Sequence, residues 1–237
     1  MKTLVIFRKE LISIFLSRVA WVVAVLFALA TAIFFERSGL HGTEATLGGT
    51  FLAASTIFVV AFPALTMGSI ADEMASGTIE TLATDPVRDA EIVLGKFFAV
   101  LAFFTLLLAP LPLYYLLLRS VGARPDLGPV LSGLAGLWLA GGLCAAVGIF
   151  ASALTSDHLI GFVVAFLILL VFRVIGAAST IELPEAVAKT LVHVSLPYHL
   201  VPMIRGHVAL EDLVFFVSTT ALFLFLATRC LEARRWA

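Results

Sequence analysis

The densest run of ionisable side chains in this chain of 237 residues lies between residues 72 and 96. Six acids, Asp72, Glu73, Asp85, Asp89, Glu80 and Glu91, stand there with two bases, Arg88 and Lys96. Carboxylates at this density accept hydrogen bonds and pair with cations. Taken alone, the composition describes a solvated acidic loop. Its spacing carries more: Thr78–Thr84 reads as a short helix with Ile79 and Leu82 one turn apart. Asp85-Pro86 stops it, because the residue before proline avoids the α region. Asp89 is placed to cap a new helix that continues through Glu91–Lys96.

Other candidate chemistry is thin, and no catalytic or metal-ligating residue is expected. A phosphate-binding G-x-x-x-x-G-K-(S/T) loop does not occur; Gly95-Lys96 precedes Phe97 and has no upstream glycine. Neither G-x-S-x-G nor H-E-x-x-H is present. His193, His199 and His207 are separated by six and eight residues, which does not bring them to one helix face. Asp157, beside His158, reads as a helix cap. Cys144 lies inside an apolar run and Cys230 near the C-terminus, so a disulfide is not expected.

The elements that must position the acidic run are apolar. Hydrophobic residues make up 61% of the chain and charged ones 13%, and 20 residues are Phe. Soluble domains carry roughly 25% charged residues; here lipid must act as the solvent for most of the surface. Six candidate transmembrane helices follow: Val19–Phe35, Phe51–Ala71, Phe97–Leu118, Pro129–Leu154, Leu159–Thr180 and Leu213–Thr228. Such runs must be helical, since each buried N–H and C=O has to be paired within its segment.

Before the first run, residues 1–18 place Leu4, Phe7, Leu11, Ile14 and Phe15 on one helical face, with Lys2, Arg8, Lys9, Glu10 and Arg18 between them. That predicts an amphipathic interfacial helix. Ala28-Leu29-Ala30 mimics a signal-peptide cleavage site, but the apolar run continues to Phe35, so cleavage is not expected.

Six spans place both termini on one side. That side collects Lys2, Arg8, Lys9, Arg18, Arg88, Lys96, Arg229, Arg234 and Arg235. The other holds Arg37, Arg119, Arg124, Lys189 and Arg205. Nine against five favours cytoplasmic termini. Residues 181–212 are too long for a tight loop and too broken to span. They read as one or two short helices dipping back at the outer face. The whole chain, 1–237, reads as one all-α integral membrane domain. The net charge of -1 predicts no nucleic-acid surface.

Within the spans, Ser132, Gly136, Ala140, Cys144, Gly148 and Ser152 form a small-residue stripe that lets helices approach closely, by packing or by movement during switching. Pro63, Pro110 and Pro112 predict kinks. Arg173 is the clear intramembrane charge, roughly 21 Å along its helix from Leu159, a candidate for gating or for snorkelling to the outer surface.

The acidic run closely resembles the cytoplasmic loop of ABC-2 type transporter permeases, roughly acid-x-x-x-G-T-(I/L/V)-E-x-L-x-x-x-P-(V/I)-x-x-x-E-(I/L)-x-x-G-K. Glu73, Gly77, Thr78, Ile79, Glu80, Leu82, Pro86, Val87, Glu91, Ile92, Gly95 and Lys96 match it. The family often has a base between the first acid and the glycine, where this chain has Met74, Ala75 and Ser76. The ending Thr228–Trp236 resembles the branch that includes gliding-motility and copper-maturation permeases.

The resemblance implies a type-2 exporter-like permease in a bacterial cytoplasmic membrane. It implies a separate ABC ATPase subunit that binds ATP and magnesium, a second permease chain (identical or not), and an accessory subunit of periplasmic type. The loop would be a coupling helix docked on the ATPase, with Asp72, Glu73, Gly77, Thr78, Ile79, Glu80, Leu82, Pro86, Val87 and Glu91 at that interface. The acids would meet bases of the partner. Gly136, Ala140, Gly148 and Arg173 would pack or gate the spans. The other reading is a membrane anchor or assembly subunit that transports nothing and uses the same ATPase for mechanical work.

Overall fold

The computed structural model describes residues 2–40, 46–75, 88–176 and 184–235, and the regular elements among them are all helical. Helix α1 (Lys2–Leu16) meets α2 (Arg18–Phe35) at Ser17, whose extended backbone breaks the helix. The Trp21 indole fastens this corner by donating to the Phe15 carbonyl at 2.8 Å. After α2 comes a π-helical turn, Glu36–Leu40. Then α3 (Gly48–Thr66) passes through a turn at 67–70 into the short α4 (Ala71–Ala75). The rest of the chain forms α5 (Asp89–Leu107), α6 (Pro110–Ser120), α7 (Leu127–Ala153), α8 (His158–Val174), α9 (Glu185–Val194), α10 (Leu196–Ile204) and α11 (Leu210–Arg235).

Among the described residues, five stretches are long and apolar enough to cross a membrane: Arg18–Ser38, Gly48–Ala75, Asp89–Ser120, Leu127–Ala153 and Leu210–Arg234. The fifth expected span is described only in part. Helix α8 has 17 residues, about 26 Å at 1.5 Å per residue, against a hydrocarbon core of about 30 Å. The predicted end of that span, Thr180, lies outside the described residues. The last span is longer than expected, because its helix continues through the polar residues 229–235.

Pro110 divides the third span into two helices. It lacks an N–H and its ring fixes φ, which suits the first turn of α6 and ends α5 behind it. Pro63 sits inside α3, which ends one turn later at Thr66.

Helix α7 is the centre of the bundle and packs against α3, α5, α8, α10 and α11. Its small residues explain why. A Cβ on Gly141 would run into the Phe104 ring, and one on Gly148 into the Thr66 side chain; on Gly136 it would lie 3.1 Å from Leu200 and Met203. Ala140 and Cys144 are fully buried. Between helices in lipid there is no hydrophobic drive, so such close approach supplies the dispersion contact that holds them. Phe58 meets Phe62 and Phe104 edge-on, at centroid distances of 5.4 and 5.1 Å, which joins α3 to α5. At the periphery, α2 leaves Trp21, Val25, Leu29 and Ile33 exposed, and α8 leaves Val163, Leu167 and Val174 exposed. These are surfaces suited to lipid.

Alternating helix directions give the bundle two ends. One gathers α1, α4, the start of α5, the end of α7 and the start of α8. The other holds α10, whose Ile204 lies against Gly48, and Gly206 just after it, which lies against Pro129.

Candidate functional site

Lys96 lies two turns into α5 and its side chain is 1% exposed. An ammonium has three N–H donors and no acceptor. The structure offers three acceptors: Glu10 Oε1 at 2.8 Å, the Ser69 carbonyl at 2.6 Å and Glu73 Oε2 at 3.1 Å. Glu10 and Glu73 are themselves mostly buried. The more exposed Lys9 stands 3.5 Å from Glu73 Oε1, a contact worth little by itself in water. Two cations and two anions leave the cluster neutral. That matters in a dry setting, where an unpaired charge is costly.

The neighbouring glycine makes this geometry possible. A Cβ on Gly95 would come within 2.8 Å of the Ile6 side chain and 3.2 Å of the Thr3 carbonyl oxygen. With glycine there, α1 lies directly against α5 and brings Glu10 within reach of Lys96. On the same helix, Ile6, Leu11 and Ile14 pack against the core. Residues 95 and 96 therefore act as a unit: one admits α1, the other pins it.

A second anchor holds the turn between α3 and α4. The Ser152 hydroxyl, at the end of α7, accepts from the Ile70 and Ala71 amides at 2.9 and 3.1 Å and donates to the Met67 carbonyl at 3.0 Å. A third joins α4 to α8: Asp72 contacts the His158 imidazole. Asp157 caps α8, accepting from the Leu159 and Ile160 amides at 2.7 and 3.2 Å. A cleft of about 250 Å³ opens between these groups, lined by Glu10, Ser13, Ser17, Ser69, Asp72 and His158 among others.

Of the loop residues expected to dock a partner, Asp72, Glu73 and Glu91 are described. Each has a contact within the chain. Glu91 accepts from the Arg88 amide at 3.1 Å. That contact corrects one expectation: Arg88 is the capping position of α5, and Asp89 is its first helical residue. Gly77, Thr78, Ile79, Glu80, Leu82, Pro86 and Val87 lie outside the described residues.

Sequence reasoning placed Lys96 on the cytoplasmic side but gave it no inward role, gave none to Glu10 or Ser69, and placed Ser152 in the packing stripe without its hydrogen bonds. The available signal was a lone lysine just inside an apolar run, facing an amphipathic helix with one acid.

At the other end, Arg173 donates to Thr56 Oγ1 at 3.0 Å. His199 stacks on Phe215 at 4.1 Å; one ring nitrogen faces Asp212 at 2.8 Å and the other the His193 carbonyl at 2.9 Å. His193 faces the Lys189 carbonyl at 2.7 Å and the Tyr198 hydroxyl at 3.3 Å. These contacts tie α9, α10 and α11 together. His207 is exposed.

No family model and no curated protein matches this chain. What the geometry itself describes is a brace. Three separate anchors fix the two roots of the 72–96 segment to α1, α7 and α8.

Proposed function

We propose that this chain is the membrane-spanning permease subunit of an ATP-driven exporter, taking force from a separate ATPase chain through the segment between α4 and α5. The observation that carries this reading is the Glu73–Lys96 contact at 3.1 Å. It closes the segment at its base, joining the first acid and the last base of the loop pattern. A lever needs stiff roots; a loop free at its roots would dissipate a push. Lys96 also holds Glu10, so a displacement of the loop carries α1 and α5 with it.

On this reading the Lys96 end is cytoplasmic and the termini lie there. The six apolar helices, α8 included, are the spans, and α9–α10 re-enter at the outer face. The ATPase would bind ATP and magnesium, and a second permease chain would complete the pathway. ATP acts by binding the closed arrangement more tightly than the open one. The segment's own contacts with the ATPase would come from Ile79, Leu82 and Glu80, since Glu73 and Glu91 are engaged at the roots.

The test is purification of the tagged full chain from its own host in mild detergent. The reading expects an ATPase with a phosphate-binding loop to accompany it, and Glu80→Lys to uncouple hydrolysis from movement of the spans. Recovery of the chain without any ATPase, or full coupling in Glu80→Lys, removes it.

A further inference from the structure

Among the described residues Arg173 makes one hydrogen bond, from Nη2 to Thr56 Oγ1 at 3.0 Å. That hydroxyl donates its own proton to the Leu52 carbonyl at 3.0 Å, so it can only accept from the guanidinium. Nε is buried without an acceptor. Among the described residues no carboxylate pairs with this side chain; Asp212, on α11, faces His199. A guanidinium is a cation with N–H donors and no acceptor. In an apolar helix such a charge is costly unless an anion or water meets it.

The surroundings narrow what that anion is. Helix α8 carries Arg173 in its last turn. Val192 of α9 and Pro197 and Tyr198 of α10 stand beside it. Between them is a cavity of about 340 Å³ lined by Arg173, Gly176, Val192, Ser195, Pro197 and Tyr198. That volume fits a small polar headgroup. On either side the surface is apolar: Leu52 and Val60 lie one turn before and after Thr56 on α3, and Leu170 and Val174 flank Arg173 on α8; all four are exposed. A fixed cation beneath a pocket, between two greasy helix faces, matches a molecule with one oxyanion and long hydrocarbon chains.

We infer that Arg173 and the α9–α10 cavity bind the phosphate of an anionic membrane phospholipid. The guanidinium fork meets two phosphate oxygens, and the acyl chains lie along α3 and α8. The inference uses neither the ATPase nor the loop, and it stands if the exporter reading fails.

Native mass spectrometry of the full chain released from nanodiscs of phosphatidylglycerol and phosphatidylcholine tests it. The natural chain is expected to retain one phosphatidylglycerol more than Arg173→Gln, with affinity at least about tenfold higher, the scale of a charge-assisted hydrogen bond. Arg173→Lys keeps the charge and is expected to keep most of the binding, which separates loss of the site from loss of the fold. Val192→Trp fills the cavity while leaving Arg173 in place and is expected to expel the lipid. Equal retention by the natural chain, Arg173→Gln and Val192→Trp overturns the inference. So does displacement of the lipid by millimolar inorganic phosphate, which would mark a site for a soluble anion.

Discussion

Lys96 on α5 and Glu10 on α1 are 86 residues apart in sequence and 2.8 Å apart in space. Their contact sets the position of the amphipathic helix. Ile6 and Leu11 would pack on many apolar surfaces, but a buried ammonium with three acceptors accepts one arrangement. This is specificity bound up with stability: removing a single partner strands the others.

Lys96→Ala leaves Glu10 and Glu73 facing one another in a site with little water. Breaking a buried pair in this way costs about 3–5 kcal/mol. Thermal unfolding in detergent is expected to show a loss of that order. The triple change Lys96→Met, Glu10→Gln, Glu73→Gln, which removes the three mostly buried charges and leaves only the exposed Lys9, is expected to recover most of it. Equal loss in both variants would show that shape, and not charge, holds α1.

Ser152→Ala strips the acceptor from the Ile70 and Ala71 amides. A buried donor left without a partner costs about 1–3 kcal/mol. The expected signature is local: amide exchange at residues 70 and 71 quickens by at least about tenfold, while exchange in α11 does not change. Unaltered exchange at 70 and 71 would show that water replaces the hydroxyl.

Two adjacent glycines of α7 predict opposite outcomes. At Gly142 a Cβ would have its nearest neighbour 3.8 Å away, whereas at Gly141 it meets the Phe104 ring. Alanine is favoured over glycine in a helix by about 1 kcal/mol. Gly142→Ala is therefore expected to be neutral or stabilising. Gly141→Ala is expected to destabilise by about 1–3 kcal/mol through overpacking. Melting temperatures of the two variants check the contrast, and a similar shift in both would contradict it.

The helical class and the positions of the apolar elements were legible, because runs of that length and composition allow no other backbone in lipid. The cap at Asp157 was legible from residue type and position. The small-residue stripe was legible as an approach surface, though only the structure assigns Gly148 to Thr66 and Gly136 to α10. The inward role of Lys96 was not legible. Helical periodicity gives the face a residue occupies but not the element that covers it, and Glu10 comes from a distant part of the chain. The full extent of the fifth span lies partly outside the described residues, which follow its helix from His158 to Val174. The cap of α5 moved by one residue: Asp89 suits a cap by residue type, but the Glu91 carboxylate takes the Arg88 amide and sets the helix start one residue earlier.

On the proposed reading, nucleotide acting at the Lys96 end moves the opposite end through this brace. Spin labels at Val121 and Val208, two exposed positions at that opposite end, with Cys144 and Cys230 replaced by Ser, report it directly. In the assembled complex, the distance between the labels is expected to change when a non-hydrolysable ATP analogue binds, and to stay fixed in Lys96→Met even though that complex assembles and binds nucleotide. An identical nucleotide-driven change in Lys96→Met would contradict the account.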